Sequence, residues 1–108
     1  MISIKMYRND KGELFGFRVY GHAGYAEKGK DVVCAAVSSL SQAVMIGLEK
    51  LTSDEINSSK SKDGLVCKVV LMRDKVKTQT ILELLLLSLK DIESQYPEYV
   101  KISEVKKQ

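Results

Sequence analysis

The chain has 108 residues, 44% of them hydrophobic and 29% charged, which is enough apolar side chain for one core and too short for a second of ordinary size. Its 17 Lys plus Arg against 14 Asp plus Glu leave a net charge of +3, short of the clustered basic character of a specific nucleic-acid module. Two cysteines far apart and a lone histidine exclude a zinc ligand set and a disulfide framework, so no metal or other cofactor is expected.

The longest apolar stretch, Ile81 to Leu89, is broken by Glu83 and Ser88 and is below the ~18 residues of a membrane span, so no membrane partner is expected. The first ten residues, Met1 to Asp10, lack the basic-then-apolar layout of a secretion signal, and the expected location is cytoplasmic.

In chain order, Ile2, Ile4 and Met6 alternate with Ser3, Lys5 and Tyr7, the period of a half-buried strand. Asn9 to Gly12 supply a turn, and Leu14, Phe15, Phe17, Val19 and Tyr20 read as the returning strand of a hairpin. From Gly21 to Asp31 three glycines and no apolar period mark a loop. Val33, Ala36, Val37, Leu40, Val44 and Leu48 then recur at helical spacing, with Asp31 placed as N-cap and the helix starting near Val32. Thr52 to Lys62 is polar and reads as a weak edge strand, followed by a Lys62-Asp63-Gly64 turn and a strand with Leu65, Cys67, Val69 and Leu71 on one face.

A second helix runs from Asp74 or Lys75 to Gln95 or Tyr96 and stops before Pro97. Its Leu84 to Leu87 run is apolar nearly all round, more than one sheet would cover, which points to a homodimer. Tyr99 to Val105 is a final short strand. The order predicts a single α+β domain over residues 1–108, a two-layer α/β arrangement with a mixed sheet of about four to five strands and two helices on one face.

The chemistry centres on two side chains. Cysteine attacks as the thiolate, and a thiol of ordinary pKa near ~8.5 is only about 3% ionised at pH 7, so a nucleophilic cysteine calls for positive potential nearby. With Asp31 as N-cap, Cys34 is the third helical residue, in the turn whose free amides favour an anion, although the Asp31 charge opposes that effect. His22, at the other end of the glycine-containing loop, supplies a second cation and a base if the loop folds back, forming a Cys/His dyad. Ser38 lies one turn beyond Cys34 on the same face, and Ser41, Gln42 and Met45 continue that strip.

Each of these residues also has a plainer explanation. A free cysteine is commonly a small buried hydrophobe, the reading that fits Cys67. Asp31 either orients His22 or only caps the helix, and Ser38 either supports the cysteine or is solvated. Gly21, Gly24 and Gly29 suit either backbone approach to a substrate or turn geometry, and Tyr25 either contacts substrate or covers the core. A non-catalytic ribosome-associated binding module and a thiol redox sensor are the alternatives to an enzyme.

Gly21-His22-Ala23 followed by Gly29-Lys30-Asp31-Val32-Val33-Cys34-Ala35-Ala36-Val37-Ser38 resembles the signature of the ribosomal-processing cysteine protease family, whose members are called Prp. Every position of that motif agrees, and the rest of the chain agrees in length and element order. The resemblance implies a bacterial cysteine endopeptidase that removes an amino-terminal extension from large-subunit ribosomal protein twenty-seven. It also implies His22 and Cys34 as the catalytic pair, with Asp31 and Ser38 at supporting positions. It further implies a homodimeric α/β protein with a mobile loop over the site, here Gly21 to Lys30, and association with the ribosome.

Overall fold

A computed structural model describes residues 1–21 and 28–107, with only the helical backbone at 28–31. Five strands and two helices follow the expected order: β1 (Ile2–Arg8), β2 (Leu14–Tyr20), α1 (Lys28–Leu51), β3 (Glu55–Ser61), β4 (Gly64–Leu71), α2 (Lys75–Gln95) and β5 (Val100–Lys106). The strands form one mixed sheet in the order β3-β4-β2-β1-β5, with β5 parallel to β1 and every other pair antiparallel.

The period-two pattern sorts the sheet into two faces. Ile4 lies opposite Val19 on one side and Ile102 on the other, Met6 opposite Phe17, and Phe17 opposite Cys67, so one face is continuously apolar. Both helices cover it: Val33, Val37, Val44 and Leu48 of α1 and Leu82, Leu85, Leu86 and Leu89 of α2 join Ile2, Ile4, Met6, Phe17, Leu65 and Cys67 in one core cluster. The opposite face carries Lys5, Tyr7, Arg18, Tyr20 and Lys68. The polar stretch after α1 is a true edge strand, and its Ile56 and Ser58 are its inward-facing, partly covered positions.

Two expectations need correction. Helix α1 starts at Lys28 rather than Val32, so Asp31 is its fourth residue and not its N-cap. The extra turn is polar and precedes the core-facing stripe, so it leaves no apolar period to read. The longest apolar segment is also not Ile81 to Leu89. Val32–Leu51 is long and apolar enough by composition to cross a membrane, and its Val33, Val37, Val44 and Leu48 stripe is buried against the sheet.

Helix α2 begins where two carboxylates tie the preceding loops together. Asp54 accepts from the backbone amides of Arg73 (2.6 Å) and Asp74 (2.8 Å) and from the buried Thr78 hydroxyl. Asp74 accepts from the Ser53 amide (2.6 Å) and hydroxyl (2.8 Å), which hold its carboxyl below the usual aspartate range. A lowered folded-state pKa contributes stability that is present above the unfolded value and lost as pH falls through the folded one. The urea midpoint therefore drops below about pH 4, and Asp74→Asn flattens part of that drop. At the far end the Tyr96 amide donates to Ile92 O (2.9 Å), and Pro97 stops the helix. On α2 Leu85 and Leu86 point into the core, whereas Leu84 and Leu87 are 62% and 63% exposed.

Candidate active site

A cavity of about 290 Å3 opens where the end of β2, the first half of α1 and the β3–β4 turn meet. Helix α1 supplies one wall through Cys34, Ser38, Ser41 and Gln42, which recur at three and four residues and so share a face. The strip expected beyond the cysteine is thus assembled as far as Gln42. Tyr20 and Gly21 form a second wall and Lys60 to Leu65 the third.

Cys34 is half-buried, packing against the core on one side and lining the cavity on the other. Beyond it runs a chain of side-chain hydrogen bonds. Gln42 Nε2 donates to Ser38 Oγ (2.7 Å), and Lys60 Nζ donates to Gln42 Oε1 (2.9 Å), fastening the helix wall to the edge strand. Ser41, fully buried, donates its hydroxyl to Val37 O (2.7 Å), a bond within the helix.

Gly21 has φ +92, and a Cβ there would stand 2.5 Å from Met1 O. Its glycine character is set by close packing of the chain's own backbone. Cys34 is the seventh residue of α1, not the third, so its amide has an intrahelical carbonyl four residues back. The expected placement of this cysteine in the first turn is therefore not observed, and its amide is not one of the helix's free donors.

Of the other sequence-derived site residues, Ser38 is where it was expected. Gly29 and Asp31 sit in the opening of α1, and the Asp31 side chain is outside the described residues. His22, Gly24 and Tyr25 also lie outside the described residues. The sequence gives little sign of the third wall, because Lys60 to Leu65 reads only as the end of a weak strand and a turn. Its faint signal is Gly64, which has φ +151 beside a three-residue polar turn.

The two cysteines differ in chemistry. Cys67 is fully buried on β4, and its thiol is pushed up to about 12, first by burial and then by the Glu49 charge. One equivalent of iodoacetamide at pH 8 is therefore expected to label Cys34 and leave Cys67 untouched. Cys34→Ala should label only after denaturation, as read by intact mass. Native labelling of both thiols would contradict the burial.

A family model described as Cysteine protease Prp matches residues 1–101. The chain is 29% identical over 106 residues to Ribosomal processing cysteine protease Prp of Staphylococcus aureus, covering 95% of this chain and 98% of that one. It is similar to two solved structures of that essential ribosomal processing protease. One is in complex with a substrate peptide (TM-score 0.86, 26% identity) and one with a covalently linked product peptide (TM-score 0.83, 28% identity). Each match covers 97% of this chain and 100% of the other. With a cysteine lining a cavity of about 290 Å3 on the same five-stranded α+β fold, this chain belongs to the Prp family of cysteine proteases.

Proposed function

We propose that the enzyme removes the amino-terminal extension of bacterial large-subunit ribosomal protein twenty-seven, in the cytoplasm, by acyl transfer through Cys34 and His22. The observation that carries the reading is the placement of Cys34: its residue lines the cavity, with the polar Ser38–Gln42–Lys60 chain beside it. The relatives crystallised with substrate and covalently linked product peptides support peptide cleavage through a covalent intermediate.

In the proposed reaction Cys34 Sγ, its proton taken by His22, adds to the scissile carbonyl carbon. The tetrahedral adduct collapses as the C–N bond breaks, and the departing amine takes its proton from the His22 imidazolium. A thioester remains on Cys34. Water then adds to it with His22 as base, releasing the carboxylate and restoring the thiol. Gly21, the residue before His22, lines the same cavity as Cys34, and Asp31 and Ser38 are the supporting side chains of this reading. In this reading Gly21, Gly24 and Tyr25 belong to a segment that closes over the peptide, and Gly29, inside α1, adjoins it. The test is mass spectrometry of the precursor ribosomal protein after incubation with the enzyme. A single shorter product is expected, and an unchanged mass overturns the assignment.

A second copy of the chain covers Leu84 and Leu87 in this reading, since two exposed leucines one turn apart form an apolar strip on α2. Light scattering should give twice the chain mass for the wild type and a monomer for Leu84→Glu/Leu87→Glu. A monomeric wild type would refute the dimer.

A further inference from the structure

We infer that the open face of the sheet, on the side away from both helices, is a docking surface for a single strand of RNA, bound without sequence preference. The choice of RNA as occupant rests on the ribosomal reading above, and the surface itself rests on charge and geometry alone. In register, Lys101 of β5 neighbours Ser3, Lys5 of β1 pairs with Arg18 of β2, and Lys68 of β4 pairs with Gly16. Lys101, Lys5, Arg18 and Lys68 therefore form a diagonal stripe across four adjacent strands, roughly 14 Å wide at ~4.8 Å per strand spacing.

The one carboxylate among the strand positions on this face is Glu55, at the start of β3 and paired with Arg73 (3.2 Å); the other members are Ser3, Tyr7, Gly16, Tyr20, Gly64, Val66, Val70, Ser103, Val105, Asn57, Ser59 and Ser61. The whole chain has a formal excess of only +3, yet the strand positions of this one face hold four cations against a single acid, which Arg73 already pairs. The ion pairs among the described residues involve other side chains. Three of the four cations lie over rings instead, and Lys107, just beyond β5, joins them. Arg18 lies 4.6 Å and Lys5 5.7 Å from the Tyr20 ring centre, and Lys68 lies 5.2 Å and Lys107 4.9 Å from that of Tyr7.

Cations fixed on rings and left without carboxylates keep their charge for an outside polyanion. A guanidinium plane on a tyrosine, flanked by serine and asparagine hydrogen-bonding groups, suits phosphates and unpaired bases. An anionic membrane would call for large protruding apolar anchors, and the aliphatic strand positions here are the short valines Val66, Val70 and Val105. The modest net charge conceals this surface because most of the acids lie elsewhere.

The test is fluorescence anisotropy of a labelled 12-nucleotide oligouridine with the full chain, across a salt series. The expected slope of log K against log salt is roughly −3, from four contacts at ~0.7 each. Lys68→Ala/Lys101→Ala, neither of which lines the cavity, should roughly halve that slope and weaken binding at least tenfold. Cleavage of a short precursor peptide by this variant should be unchanged. Absence of binding by the wild type at low salt, equal binding by the variant, or tighter capture by phosphatidylserine vesicles than by RNA would each overturn the proposal. Loss of peptide cleavage by the wild type would instead strike the proteolytic reading and leave the RNA result standing.

Discussion

Cys34→Ala should shorten the precursor ribosomal protein at least ~10³-fold more slowly than the wild type, with the melting temperature nearly unchanged. The rate falls because the acyl intermediate cannot form without the sulfur. The fold survives because Cys34 is only half-buried and its other side faces the cavity. His22→Ala should lose activity on the same scale. The double variant His22→Ala/Cys34→Ala should lose no more than either alone, since groups that act as one unit have non-additive effects. Rates are read by mass spectrometry of the processed amino terminus. Wild-type processing by Cys34→Ala would return the chain to a binding role. Multiplying losses in the double variant would separate the two side chains into independent functions.

Gly64→Ala should cost about 3 kcal/mol and lower the melting temperature by roughly 12 °C or more. Gly64 opens β4 with φ +151, a conformation that L side chains rarely adopt, and it pairs with Tyr20 of β2 and Ser61 of β3. An added Cβ would stand 2.2 Å from Val19 O and 3.1 Å from Tyr20 Cα, both backbone atoms that only a shift of the strand can relieve. Because Lys60 to Leu65 form one cavity wall, that shift also displaces the wall facing Cys34. Peptide cleavage should fall together with stability in calorimetry and kinetics on the same sample. An unaltered melting curve would show that the strands accommodate the methyl group.

How much of this is legible in the sequence follows from where each side chain sits. The first hairpin, β4 and α2 are plain because their apolar residues have one buried face each and their ends carry Asn9, Gly12, Gly64 and Pro97. The edge strand β3 is faint for a physical reason: it pairs on one side only, so most of its residues remain exposed and polar. The start of α1 is misread because its first turn carries lysines and a glycine in place of the core stripe, and an aspartate just before that stripe looks like a cap.

The site is legible along one helix and not across the fold. Cys34, Ser38 and Gln42 follow from helical spacing. Lys60 reaches Gln42 only because β3 returns beside α1, a contact between residues 18 apart in the chain that no local pattern records. The one-sided distribution of cations is hidden from composition for the same reason, since Lys5, Arg18, Lys68 and Lys101 become neighbours only through strand register.

The pairing of Ile2 with Val100, at opposite ends of the sequence, sets an order of events during synthesis. The hairpins β1–β2 and β3–β4 can close locally, but the parallel β1–β5 ladder waits until the last strand has left the ribosomal tunnel. Until then the edge of β1 that β5 will occupy is bare, and Val100 is missing from the core. In a chain built this way the joining of β5 to β1, and not either hairpin, sets when the sheet and the core beneath it are closed.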